Sequence, residues 1–427
     1  LTLRVALADA AAGCQLCAPR GMSGPPCCAS RKAFPTHKET EMNLKKTLHT
    51  AVLGMALMHA ATALAKDVYH VAVIRWAPTD IYFNGVQMGQ ERERQRLERE
   101  HGVKIDFRIF GANDVSQQRY ELDSQVARGV DGVLLVPWRG ESMRSVLAEL
   151  YKKGIPVVTS NALVPSAPQT FVAFDNRDAG RLGGEAIVRR LSELRGTDWA
   201  KTGGVIVELR CIITSSFDIG RHEGYRSVFD PIAKANPNLK IETREARCDE
   251  GMARKAVDGV IARYGAANVL AVASIDGTMG VGGAVQALQA HGLLYPINDP
   301  RHIPVATVDG TLVELQAVAR GHIDHVSVQP ADGEGTLSMR LLFNMMKAGK
   351  PMSKADKVTT IMADSKELWA PVQVEPSRNF DGTWYRTKAF SVPSDVRYDD
   401  ARLWSIQMYK LENGGKAPDL IGGTFKY

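Results

Sequence analysis

The sequence predicts an α/β protein of two doubly wound, parallel-sheet lobes. Three observations predict it. Between Tyr69 and Lys350, short apolar, β-branched runs alternate with longer charged segments of helical character. The alternation restarts at Gly203, giving two successive units of similar size. Runs such as Gly132–Pro137 are apolar throughout, as parallel strands are when helices cover both faces of their sheet.

Residues 1–41 precede Met42 and hold four of the six cysteines: Cys14, Cys17, Cys27 and Cys28. No regular pattern surrounds them, so no metal site is assigned, and the segment reads as a non-native upstream extension. From Met42 to Ala65, Lys45-Lys46, an apolar stretch from Leu48 to Leu64 and Ala63-Leu64-Ala65 form the three parts of a secretory signal. The apolar stretch is short for the ~20 residues of a membrane span, and His49 and His59 weaken it further. Cleavage would make Lys66 the first mature residue.

The first unit has predicted strands at Tyr69–Trp76, Val103–Ile109, Gly132–Pro137, Pro156–Ser160 and Thr170–Ala173. Helices are predicted at Phe83–His101, Val115–Arg128, Glu141–Lys152 and Arg177–Leu194. The second unit has strands at Gly203–Arg210, Lys240–Ala246, Val269–Ala273, Ile303–Val308 and His325–Val328. Its helices fall at Arg221–Ala235, Gly251–Arg263, Met279–His291 and Leu312–Arg320, and a further helix follows at Asp332–Lys347. Gly277-Thr-Met-Gly280-Val-Gly282-Gly283 lacks the spacing of a dinucleotide loop and reads as tight helix packing. The tail beyond Pro351 shows little periodicity.

With 427 residues, 44% hydrophobic and 23% charged, the composition is that of an ordinary globular protein. The net charge of +6 owes much to residues 1–65, where seven Lys/Arg face three Asp/Glu, so nucleic acid is not an expected partner. No P-loop and no G-x-S-x-G elbow occur. The ten His form no zinc-spaced set, and His322 and His325 read as surface residues. No cofactor and no metal are expected.

In open parallel sheets, ligands bind beyond the carboxyl ends of the strands. There the sequence places Trp76, Asp80, Tyr82 and Phe83 after the first strand, Trp138 after the third and Asn161 after the fourth. Asp276, Asp309 and Gln329 follow strands of the second unit. A carboxylate accepts from two neighbouring hydroxyls, amides both donate and accept, and aromatic faces cover the C–H face of a sugar ring. The set therefore suits a polyhydroxylated ligand, and its three carboxylates argue against an anionic one. Plainer roles stay open: Asp80 and Asp309 suit turns or caps, Phe83 a core, and Gln329 a hinge backbone group. The aromatic rings beside three Asp would also suit an amine or other cationic signal read by a chemoreceptor or sensor kinase. A glycosidase built on the same acids is a third reading.

Cys211 and Cys248 follow consecutive predicted strands of the second unit. Consecutive strands are commonly neighbours, and adjacent strands lie ~4.8 Å apart, within reach of a disulfide. The alternative is two free thiols on opposite faces of the sheet.

From about Tyr69 to Lys350 the chain resembles the ribose-type (type I) periplasmic sugar-binding proteins of ABC importers. The resemblance rests on Asp80-Ile-Tyr-Phe83, Gly129-Val-Asp-Gly132, Pro137, Gly154-Ile-Pro-Val157, Phe174-Asp175-Asn176, Arg221-His-Glu-Gly-Tyr225, Val308-Asp309-Gly310 and Val328-Gln329-Pro330. It implies that Asp80 takes the place of a ligand-binding Asn and Asn161 that of a ligand Asp. Tyr82 and Phe83 take the place of two stacking aromatics, Asp276 that of a ligand Asn, and Asp309 and Gln329 match an identical Asp and Gln. The chain departs from the pattern at Ala162 and Ile219, where the family has Arg, at Cys248, where it has a stacking Phe, and at Trp76. The implied fold has three hinge crossings, near Asp175, near Val308–Gly310 or Gln329–Pro330, and in the tail. Residues 66–174 with about 330–355 would form one lobe, 175–329 with part of the tail the other, and about 356–427 an extended tail packed on both. The implied role is a monomeric periplasmic protein that closes on a monosaccharide or polyol and delivers it to ABC permease subunits, without catalysis.

Overall fold

The structure is a computed structural model that describes residues 66–361, 372–393, 397, 399–400 and 403–425. The upstream segment, the leader expected over 42–65 and the four cysteines within 1–41 lie outside the described residues. No helix among the described residues is long and apolar enough to cross a membrane.

The first sheet is built around β1 (Val68–Trp76), which pairs in parallel with β2 (Lys104–Ala112) and β3 (Gly132–Val136). Strands β4 (Val157–Ser160) and β5 (Pro168–Phe174) continue it in parallel. The second sheet runs in the order β7 (Leu239–Glu245), β6 (Gly204–Arg210), β8 (Val269–Ser274), β9 (Val305–Asp309), β10 (His325–Val328). Every residue of β3 and of β8 is buried, so these sequences are apolar runs and not alternations.

Helices α1 (Ile81–His101), α2 (Val115–Ala127) and α3 (Gly140–Lys152) belong to the first sheet. Helices α4 (Asn176–Arg195), α5 (Ser216–Ala235), α6 (Glu250–Tyr264), α7 (Gln286–Ala290) and α8 (Leu312–Ala319) belong to the second. The stretch before α7, Thr278–Val285, is π-helical and not the α-helix expected there. Its glycines are the tight contact anticipated: a methyl group at Gly280 would lie 2.3 Å from Thr307 Cγ2, and one at Gly283 2.4 Å from Ala253 Cβ. His325, expected at the surface, is buried on β10 beside Ser327.

Each lobe holds one pair of helices that touch backbone to backbone. In the first lobe α1 crosses α9 (Ala331–Ala348); methyl groups at Gly89 and Gly335 would each sit 1.9 Å from a carbonyl oxygen of the partner helix. In the second, α4 crosses α5, where Gly180 and Gly224 meet the carbonyls of Arg221 and Arg177 just as closely.

The tail is more than an extended covering. Strands β11 (Thr359–Ile361), β12 (Val372–Pro376) and β13 (Asp381–Thr387) extend the first sheet, with β13 parallel to β5 over seven residues. The short strand β14 (Phe390–Val392) then pairs antiparallel with β10 in the other sheet. The chain thus passes between the lobes at Asp175, at Gln329–Pro330 and at Lys388–Ala389. One side chain touches all three passages. Glu334 accepts from Phe174 N at 2.9 Å, Thr387 Oγ1 at 3.0 Å and Gln329 Nε2 at 3.2 Å.

Helix α10 (Trp404–Glu412) closes the described chain over this hinge. Trp404 is buried, donates Nε1–H to Asp309 O at 3.0 Å, and packs on Gly85, where a methyl group would lie 2.5 Å from its ring. Ser405 Oγ donates to Gly310 O at 2.7 Å. Beyond α10, Gly423 O accepts from Gln316 Nε2 and Arg320 Nη2, tying the tail to α8 and its end.

Candidate functional site

Between the carboxyl ends of the two sheets lies a cavity of about 320 Å³. Trp76, Asp80, Tyr82, Phe83 and Asn161 line it from the first lobe, and Phe217, Arg221, Cys248, Asp276 and Asp309 from the second. Thr79, Thr278 and Thr311 add hydroxyls.

On the first lobe, Asp80 caps α1, its carboxylate accepting from Tyr82 N at 2.9 Å. The cap aims the next two rings at the cavity: Tyr82 and Phe83 meet edge to face at 5.2 Å, and Phe83 meets Trp76 at 5.4 Å. Trp138 does not line the cavity. It stands behind Trp76, ring centroids 5.0 Å apart, and braces it edge-on. Asn161 follows β4 with φ +63°. Asn161 Oδ1 and Trp76 Nε1 are buried with no hydrogen-bond partner, although the two residues are only 6% and 7% exposed. Buried polar atoms are normally satisfied, so this acceptor and this donor are exceptions on two residues that line the cavity.

On the second lobe, Arg221 of α5 is the organising group. Its guanidinium lies 5.3 Å from both the Phe174 and Phe217 ring centroids. It donates to Asn176 Oδ1 at 2.9 Å, Ile275 O at 2.6 Å, Gln329 Oε1 at 2.8 Å and Asp309 Oδ1 at 3.4 Å. Gln329 is fully buried and does not line the cavity. It carries the link onward, with Nε2 donating to Glu334 and to Tyr82 Oη. Tyr82 Oη–H in turn donates to Glu334 at 2.7 Å, so one network runs from Asp309 to the hinge.

The carboxyls here are all held above their usual range. Burial pushes Asp276 up to about 7, against one hydrogen bond from Met279 N at 2.7 Å. Burial raises Asp309 well above 3.8, opposed by Arg221 and reinforced by Glu314, Asp276 and Asp80. Burial also raises Asp80, which the Tyr82 amide, Arg75 and Arg221 pull back. Glu314 and Glu334 are both pushed up to about 7, chiefly by burial.

Cys211 and Cys248 form a disulfide with a Cα–Cα distance of 4.6 Å. It joins the ends of β6 and β7 and puts Cys248 in the cavity wall. Six non-glycine residues among those described have φ in the left-handed region, and four of them, Ala77, Asn161, Cys248 and Asp309, line the cavity. Strain of this kind gathers where the surroundings over-determine the backbone, as at binding sites.

Of the residues singled out in the sequence, Trp76, Asp80, Tyr82, Phe83, Asn161, Asp276 and Asp309 meet at the cavity, while Trp138 and Gln329 stand behind it. Arg221, Phe217 and the three Thr escaped notice. For Arg221 a signal existed in the Arg221-His-Glu-Gly-Tyr225 run, but nothing local marks it as buried.

The sequence profile of the family described as "Periplasmic binding protein domain" matches residues 71–351. The chain belongs to that family. This binding protein is 26% identical over 292 residues to the D-xylose-binding periplasmic protein of Haemophilus influenzae, covering 66% of the chain and 77% of the relative. It is also 26% identical over 305 residues to the xylitol-binding protein of Mycolicibacterium smegmatis, covering 67% and 77%. GanP, a glucose-galactose binding protein from Geobacillus stearothermophilus, shares the fold, with a TM-score of 0.57 at 16% identity over 76% of this chain and 98% of that one. Members of the family are binding proteins, and the match ends at 351, before β11.

Proposed function

We propose that the protein captures a small polyhydroxylated ligand, a monosaccharide or polyol, between its lobes in the periplasm and presents it to the permease of an ABC importer. The observation that carries this reading is the cavity lining, where Trp76 and Asn161, each with a polar atom lacking a partner, stand among Asp80, Asp276 and Asp309. A hydroxyl group both donates and accepts, so neighbouring hydroxyls satisfy such a mixture without adding charge. The Trp76, Tyr82 and Phe83 rings offer the apolar surface for the carbon skeleton. The relatives named for D-xylose and xylitol support the same ligand class.

The role is binding by lobe closure, without covalent change of the ligand. Gln329 and Glu334 connect the cavity to the three hinge passages and would transmit closure to them. Residues 42–65 supply the export signal, and the protein acts as a monomer toward its permease.

A thermal-shift screen of pentoses, hexoses and polyols, followed by titration calorimetry of the hits, tests the proposal. Ligand at ~100 times its dissociation constant should stabilise the protein by about 2.7 kcal/mol. It should also shrink the small-angle scattering envelope and be recovered unchanged. A silent screen, or turnover of the sugar, would sink the reading.

A further inference from the structure

We propose, resting on the binding role just described, that the ligand is an amino-polyol: a sugar or cyclitol carrying one protonated amine among its hydroxyls, with the ammonium seated at Asp276. The charge inventory of the cavity points there. Three carboxyls line it, and Arg221 is the one cationic group among the lining residues described. Arg221 is already committed, since each of its three nitrogens donates to a protein acceptor. Its charge is directed at Asp309, 3.4 Å away. Asp80 has the charge of Arg75 nearby, from β1. Asp276 feels Arg221 only at a distance, forms no ion pair among the described residues, and its carboxylate accepts only the Met279 amide.

The other charged groups around Asp276 do not supply a free cation. Asp218 on α5 is paired with Arg210 and the Cys211 amide. Glu314 on α8 is taken up by Thr307, Gly310 and Thr311. Close carboxylates in a desolvated site repel one another, and an unpaired buried charge is costly. A hydroxyl softens this with one hydrogen bond, whereas an ammonium brings three donors and a full positive charge. The aromatic rings of Trp76, Tyr82 and Phe83 line the same cavity and attract a cation over their faces. The amine cannot be the whole ligand. Trp76 and Asn161, more than nine-tenths buried, also line the cavity, and their unpartnered Nε1 and Oδ1 suit an acceptor and a donor of ordinary hydroxyl type.

Matched probes decide the matter. D-glucose with D-glucosamine, D-galactose with D-galactosamine, and xylitol with 1-amino-1-deoxyxylitol are titrated calorimetrically, with N-acetyl-D-glucosamine as the uncharged amine control. In at least one pair the amine should bind about tenfold tighter than its hydroxyl partner near neutral pH. Its advantage should shrink as the pH falls from about 8 to about 5 and Asp276 takes up its proton. In Asp276→Asn the amine should lose about tenfold more affinity than the hydroxyl probe. Neutral members binding as tightly as the amines in every pair would overturn the proposal while leaving sugar capture standing. Silence from both members of every pair also overturns it, and reaches the binding role itself only if the wider sugar and polyol screen is silent too. The wild-type pairs carry the test alone should the variant fail to fold.

Discussion

The two walls of the cavity are made differently. The first lobe offers a run of rings, Trp138 against Trp76, Trp76 against Phe83, Phe83 against Tyr82, each edge to face at 5.0–5.4 Å. The second lobe offers charge, with Arg221 fanned across four acceptors and Asp276 and Asp309 beside it. A wall of rings is held by packing and fixes shape. A wall of buried charges is held by mutual compensation, so removing one member leaves the others exposed to the desolvation cost. The lesson is an asymmetry: damage to the charged wall should unfold or loosen its lobe, whereas damage to the aromatic wall should mainly cost affinity.

Arg221→Met should have the largest effect. It strands Asp309, Asn176, Gln329 and Ile275 O without their donor, and breaking a buried pair costs about 3–5 kcal/mol. Urea denaturation should show that loss together with abolished ligand binding; a midpoint equal to wild type would erase the asymmetry. The Cys211→Ser, Cys248→Ser double variant comes next. The bridge closes a sequence separation of 37 residues, for which chain entropy gives about 4 kcal/mol. Mass spectrometry of the non-reduced protein should show no free thiol at either position, and the double variant should melt earlier and bind more weakly.

On the aromatic wall, Trp138→Ala removes a brace and no lining group. One edge-to-face contact is worth about 0.5–1.5 kcal/mol, so affinity should fall by roughly tenfold at most. A loss as large as that of Arg221→Met would show that the rings carry structural weight after all. A further effect is on the unliganded protein. Asp276 titrates near 3.8 when unfolded and at about 7 when folded. Between those values the folded state holds more protons than the unfolded one, so this group's contribution to stability is present at acidic pH and lost as the pH rises through about 7. Wild type should therefore lose stability from pH 5 to pH 8 relative to Asp276→Asn; parallel melting curves would remove Asp276 from the account.

How far all this could be read from the sequence depends on how local the cause was. Strands β3 and β8 are buried on both faces, and their apolar runs say so without help. Asp80, Asn161, Asp276 and Asp309 are visible because strand ends are visible. Arg221 is different: its partners lie 45, 54, 88 and 108 residues away, and no window around α5 contains the reason for its burial. Strand β13 reads as polar, Asp381-Gly-Thr-Trp-Tyr-Arg-Thr387, and becomes a strand because β5 offers it a ladder. The aromatic Trp138 is a fair candidate by position, but which face of the ring row meets the cavity is settled only by packing. Gln329 reads by position as a ligand group with a hinge role as the alternative, and its side chain lies on the hinge path to Glu334.

Strand β13 and Trp404 lie outside the part of the chain that the family profile covers. The family profile therefore draws a border at 351 that the packing does not respect. A chain cut there would leave β5 as a bare parallel edge, open to any passing strand, and so prone to aggregate. It would also uncover Gly85 and leave Asp309 O without its indole donor, at the turn that shapes the cavity. The border that the physics recognises lies beyond Gly423, whose carbonyl still holds the tail against α8.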